Sequence, residues 1–145
     1  MLDHMTFRVA DINLTKAFYG AALAPLGYTL AFEGQHSGSN ILGYGFADSL
    51  APGGVRIDTW FIDGPSPHAG HPVSTGCHLC WRAPDRAAVD AFYHAAIAQG
   101  GRDNGGPGLR PQYHADYYGA FVIDPDGNNL EAVCHLPQAA LSADA

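Results

Sequence analysis

An α+β fold made of two βαβββ modules is what this sequence predicts, and three observations carry the prediction. Residues 4–27 and 78–101 repeat one another at a constant shift of 74 without a gap. Each copy reads as a short β-tolerant run, a capping residue, a helical stretch and a glycine stop. After each helix, short strand-like runs alternate with glycine- and proline-rich turns rather than with further helices. Ten of the 24 repeated positions are identical: His4/His78, Arg8/Arg82, Asp11/Asp85, Ala17/Ala91, Phe18/Phe92, Tyr19/Tyr93, Ala21/Ala95, Ala22/Ala96, Ala24/Ala98 and Gly27/Gly101. Unrelated stretches would share about two by composition. Four of the ten are alanines, but the His, Asp, Phe-Tyr and Gly matches fill different roles in the same order, which points to an internal duplication.

In the first copy, His4 to Val9 is the opening strand. Asp11 or Asn13 offers an N-cap oxygen, and Leu14, Ala17, Phe18, Ala21 and Ala22 recur at helical spacing up to the stop at Gly27. Tyr28 to Glu33 reads as a strand, Gly34 to Asn40 as a polar turn, Ile41 to Phe46 as a strand and Asp48 to Gly54 as a loop. The β-forming run VRIDTWFI, Val55 to Ile62, closes the module. Residues 63–76 are rich in proline, glycine and serine and read as a linker, whose His68 and His71 are expected to be exposed loop histidines.

The second copy opens on Cys77 to Arg82. Asp85 then caps a helix carrying Val89, Phe92, Tyr93, Ala96 and Ile97 on one face, and Gly100 and Gly101 stop it. Arg102 to Pro111 is glycine- and proline-rich, with a short strand hidden at its start. Tyr113 to Ile123 turns into a strand, Asp124-Pro125-Asp126-Gly127 is a tight turn, and Asn128 to His135 is the last strand. The division is thus 1–62, a linker at 63–76, 77–135 and a tail at 136–145 expected to be mobile, all within one compact domain.

Composition narrows the function. The chain has 145 residues, 47% hydrophobic, enough for one core. Its formal charge is -7 and its seven basic residues form no run, so nucleic acid and anionic membrane are not expected partners. With no leader-like start and no apolar span, a cytoplasmic protein is the expectation. Three cysteines argue against a disulfide framework. Cys77 and Cys80 form a C-x-x-C, but residues three apart on a strand face opposite ways, so both are expected to be small buried residues rather than a metal or redox pair.

Strand alternation puts His4 on a face with Thr6 and Arg8, and His78 on a face with Cys80 and Arg82. Superposing the closing strands on Gly54 and Gly127 brings Asp58 onto Glu131. His4, His78, Glu131 and Asp58 are therefore a candidate donor set for one divalent ion, Fe, Mn, Ni or Zn. Lys16, the only lysine, looks solvated on the first helix, and no serine sits in a nucleophile-elbow context, which disfavours Schiff-base and serine chemistry.

The paired HxxxR…D…AFY segments, the FVIDPDGNNLE stretch and the two modules together resemble the vicinal oxygen chelate superfamily, over roughly residues 2 to 135. That superfamily includes glyoxalase I, extradiol ring-cleaving dioxygenases, fosfomycin-modifying transferases and bleomycin-binding proteins. The resemblance implies sheets curled around a cleft with helices outside. It also implies a metal held by His4, His78 and Glu131, with Asp58 standing where glyoxalase I has a glutamate, one methylene longer. The implied chemistry is bidentate chelation of a small oxygenated substrate, by a glyoxalase-type lyase or isomerase or by a ring-cleaving dioxygenase. The alternative it carries is a metal-free binding or resistance protein of the bleomycin-binding type. Glu131, Tyr113, His114 and Tyr118 are the catalytic candidates, Tyr117 approaches the same strands, and Trp60 is a candidate substrate platform. A homodimer is expected, with each site drawing on both modules, from one chain or two.

Overall fold

The computed structural model describes residues 2–66 and 73–138. The linker histidines His68 and His71, and the tail from 139 onward, lie outside the described residues. The first module comprises β1 (Met5–Arg8), α1 (Ile12–Leu23), β2 (Tyr28–His36), β3 (Ser39–Ala47) and β4 (Val55–Ile62). The second comprises β5 (His78–Arg82), α2 (Arg86–Ala98), two-residue strands β6 (Arg102–Asp103) and β7 (Gly108–Leu109), β8 (Tyr118–Ile123) and β9 (Asn129–Cys134).

The duplication is visible in the sheets. The first runs β1-β4-β3-β2 and the second β5-β9-β8-β6, with β7 also on β8, so each opening strand lies beside its module's closing strand. Both of those pairs are parallel and the other neighbours are antiparallel, which gives the α+β architecture of two mixed sheets.

Each helix starts where the sequence places its cap. The Asp11 carboxylate accepts from the backbone N–H of Asn13 and Leu14, and that of Asp85 from Ala88. Phe18, Tyr19, Ala22 and Leu23 of α1 and Val89, Phe92 and Ala96 of α2 are buried on the sheets and on each other. At about 1.5–3 kcal/mol per large apolar side chain, these two faces supply much of the shared core. Tyr19 joins the modules: its ring lies 4.2 Å from that of Phe61 and 6.5 Å from that of Trp81, and its hydroxyl donates to Asp124 at 2.6 Å. Further ties run from Ser74 to the backbone of Arg8 and from the Ala10 N–H to Asp126.

Two local readings need correction. The turn expected over Gly34 to Asn40 shrinks to Ser37-Gly38, because Gly34, Gln35 and His36 pair with Ile41, Asn40 and Ser39. Both loop residues have positive φ (50° and 82°), the two-residue geometry that follows the twist of the flanking strands. Cys80 is exposed, not buried, while Cys77 is half-buried; alternation along β5 turns Leu79 and Trp81 to the core and His78, Cys80 and Arg82 to the open face.

Candidate metal centre and cleft

β9 lies between β5 and β8 and is buried along most of its length, so Glu131 projects from a covered strand and is only 3% exposed. A carboxylate so placed needs partners. One oxygen accepts from the Tyr117 hydroxyl at 2.5 Å, and the other stands 3.2 Å from Nε2 of His78. Register explains the third neighbour: Cys80 pairs directly with Glu131, and its thiol shares the open face with the carboxylate. Although the residue as a whole is exposed, desolvation of its thiol first, then the neighbouring Glu131 carboxylate, push that thiol up to about 12. Burial, followed by the bond to Glu131, likewise raises the Tyr117 phenol well above its ordinary value.

The tautomer of His78 follows from its other nitrogen. Nδ1 stands 3.2 Å from the carbonyl oxygen of Asn129, which can only accept, so Nδ1 carries the proton. Nε2 of the neutral ring then presents its lone pair to a carboxylate oxygen. Two lone pairs facing each other require a cation between or on them, either an added proton, giving an imidazolium–carboxylate pair, or a metal ion. The spacing suits the second case: two ligands at about 2.1 Å and right angles on one ion stand about 3 Å apart. The residues present therefore fit half of a divalent-metal site.

The other two expected donors belong to the first module. His4, exposed just ahead of β1, directs Nδ1 to the Asp3 carboxylate at 2.7 Å, which leaves its Nε2 lone pair free, the usual outer-shell arrangement of a ligand histidine. Asp58 is engaged instead: it accepts from the Tyr28 hydroxyl and from Thr59, each at 2.8 Å. The β3–β4 ladder passes from Tyr44–Thr59 to Gly45–Ile57, so Asp58 is the extra residue of a β-bulge. Strand pairing also replaces the superposition based on the turn glycines. Trp60 stands opposite Thr6 as Glu131 stands opposite Cys80, which makes Trp60, not Asp58, the positional counterpart of Glu131.

His4 and Asp58 line one cavity of about 250 Å³, and Asp58, His78 and Cys80 line another of about 310 Å³. Leu2, Met5 and Asp58 are common to both. Among the described residues, however, no three of His, Cys, Asp and Glu stand close enough to hold one ion.

Of the aromatic candidates, Tyr113 is exposed and packs edge-on against Tyr117 at 4.9 Å. His114 lies 5.4 Å from Tyr117 and hydrogen-bonds to His135 at 2.8 Å. Tyr118 points the other way, donating to Asp90 of α2 beneath the Arg86 guanidinium. Trp60 packs on Phe32 at 5.5 Å. Besides His78, the neighbours of Glu131 are thus Tyr117 and Cys80, and the signal for Cys80 was its place two residues after His78 on the same strand face.

Comparison with known proteins agrees with the architecture. Among curated proteins no sequence matches this chain. Among solved structures, a glyoxalase/bleomycin resistance protein from Albidiferax ferrireducens T118 is similar at 27% identity, covering 91% of this chain and 97% of its own, with a TM-score of 0.66. A glyoxalase/bleomycin resistance protein/dioxygenase family enzyme from Burkholderia phytofirmans PsJN shares the fold at 20% identity (93% and 98% covered, TM-score 0.61). Glyoxalase I from Zea mays does so at 17% identity, covering 91% of this chain but 43% of the maize chain (TM-score 0.63). The sequence profile of one family extends over residues 1–132, taking in both modules and every donor discussed above, and so this chain belongs to the Glyoxalase/Bleomycin resistance protein/Dioxygenase superfamily.

Proposed function

We propose that the protein is a metal-dependent enzyme acting on a small oxygenated molecule, either as a glyoxalase-type lyase or isomerase or as a ring-cleaving dioxygenase. The observation that carries this reading is the approach of His78 Nε2 to the buried Glu131 carboxylate at 3.2 Å, with Nδ1 turned to the Asn129 carbonyl. His78, Glu131 and His4 are the ligands, and a divalent ion held by them would draw electron density from adjacent substrate oxygens and stabilise a developing enolate or oxyanion. Tyr117 fixes the Glu131 carboxylate by donating to it, and the Asn129 carbonyl and Asp3 orient the two histidines. With its phenol proton committed to Glu131 and its acidity suppressed, Tyr117 positions the carboxylate rather than serving as a proton donor. Asp58 is a wall of the cleft, held by Tyr28.

The histidine of the first module and the His78–Glu131 pair do not close around one ion within the single chain. Pairing of two copies, with each centre drawing on both modules, is part of the proposal. The same observation favours a second reading, a metal-free binding protein of the bleomycin-binding type. Elemental analysis of untagged protein purified without chelator, followed by titration with Mn, Fe, Ni and Zn, separates them. One ion per centre, lost in His78→Ala and sharply weakened in His4→Ala, is expected; unchanged affinity in both variants overturns the metal reading. Light scattering at micromolar concentration tests the dimer, which a strictly monomeric mass refutes. Mixing inactive His4→Ala and His78→Ala chains restores activity only if the centres are shared between chains.

A further inference from the structure

A cavity of about 850 Å³ lies beside the candidate centre. Its walls are mostly apolar: Pro25 and Leu26 after α1, Tyr28 and Phe46 of the first sheet, and Leu136 after β9. None of the residues lining it is acidic, although the chain as a whole carries a charge of -7. Two charged or imidazole side chains interrupt this apolar wall, Arg82 at the end of β5 and His135 just after β9.

Both present donors. The Arg82 guanidinium has no hydrogen-bonding or ionic partner among the described residues. The polarity of His135 is set by a chain of hydrogen bonds. The Asp116 backbone N–H donates to Nδ1 of His114, so the neutral His114 ring carries its proton on Nε2. That proton is donated to Nδ1 of His135 at 2.8 Å, which leaves the second His135 nitrogen, Nε2, as an N–H with no acceptor among the described residues. An unpaired guanidinium and an unpaired imidazole N–H on residues lining a cavity with no acidic lining residue match an anion, and a planar guanidinium matches a carboxylate in particular. The volume falls within the about 300–1,000 Å³ usual for small-molecule sites.

We infer that this cavity binds carboxylates with an apolar tail, fatty or aryl-alkyl acids, the carboxylate on Arg82 and His135 and the tail along Leu26, Phe46 and Leu136. Arg82 and Tyr28 also line the cavity that holds Asp58 and His78, so the anion sits at the mouth of the candidate centre. Its relation to turnover rests on the proposed function; its binding does not, and is tested without metal.

The test uses the full chain freed of metal by chelator, titrated calorimetrically with 4-phenylbutyrate and octanoate and with the alcohols 4-phenylbutanol and octanol. Each acid is expected to bind at least about tenfold tighter than its alcohol, the difference that one charge-assisted contact supplies. Arg82→Met, at an exposed position with the stem retained, brings the acids to the affinity of the alcohols and leaves the alcohols unchanged. Arg82→Lys recovers part of the preference, and His135→Phe lowers acid affinity several-fold. Equal affinity for acids and alcohols, no binding of either acid at millimolar concentration, or full acid affinity in Arg82→Met overturns the inference. Acid binding that appears only on adding metal overturns it too, since the carboxylate is then on the ion. Acid binding in a protein that takes up no metal leaves this subsite standing and removes the proposed enzyme.

Discussion

Removing one hydroxyl tests how Glu131 is held. In Tyr117→Phe the ring stays against Tyr113 and His114, but the donor 2.5 Å from a 3%-exposed carboxylate oxygen is gone. Hydrogen bonds to charged groups contribute about 1.5–3 kcal/mol, and because Tyr117 is only half-buried, water can take part of the vacated place, so about 1.5 kcal/mol is expected. For a chain of this length that lowers Tm by about 3–6 °C. Urea unfolding of the parent, Tyr117→Phe, Glu131→Gln and the double variant forms a cycle. Since the phenol loses its charged acceptor in Glu131→Gln, the second loss should be smaller, leaving a coupling of about 1 kcal/mol at unchanged m-value. An unshifted midpoint for Tyr117→Phe, or a coupling within error of zero, would falsify the account of Tyr117 as the group that positions this carboxylate.

Raising the Cys80 thiol from 9.0 to about 12 keeps it protonated at pH 8, so its alkylation by iodoacetamide, followed by peptide mapping, should run roughly 50-fold slower than that of an ordinary thiol, the greater nucleophilicity of a more basic thiolate offsetting part of its scarcity. Glu131→Gln should speed it, though not fully, because desolvation of the thiol is the larger cause; a normal rate in the parent contradicts the site geometry. Gly45→Ala would drive a Cβ into the Arg56 carbonyl oxygen, and the resulting backbone shift should cost about 3 kcal/mol in urea unfolding; a neutral substitution would contradict the ladder at the bulge. Asp58→Asn should leave the circular dichroism spectrum and the metal affinity nearly unchanged, and a large loss of affinity would restore Asp58 as a ligand.

How much of this was legible in the sequence depends on the length scale of the physics. The caps at Asp11 and Asp85 and the bounds of β4, Val55–Ile62, are local features, and the sequence shows them directly. So does the shared face of His78, Cys80 and Arg82, a matter of alternation. Register is not local. The bulge at Asp58 arises from how β4 meets β3, and no turn glycine reports it, which is why counting from Gly54 and Gly127 pairs Asp58 with Glu131 while the ladder pairs Trp60 with it. The short β6 and β7 escape a propensity reading because each makes only two residues of ladder within a glycine-rich stretch. Tyr117 and Tyr118 differ in role through one step of a strand's start: one turns to Glu131, its neighbour to Asp90.

The Tyr19–Asp124 bond and the backbone ties of Ser74 and Asp126 bear on how the molecule comes apart. The Tyr19 and Asp126 bonds connect the first copy to the last turn of the second, Ser74 ties the residues before β5 to β1, and α1 and α2 share a buried seam. Neither copy can shed its structure without exposing the other's apolar face and stranding the buried Asp124. Heat or denaturant should therefore melt both halves in a single transition, with calorimetric and van't Hoff enthalpies in agreement. What began as a repeated unit has become one cooperative body, in which either half serves as the other's missing core.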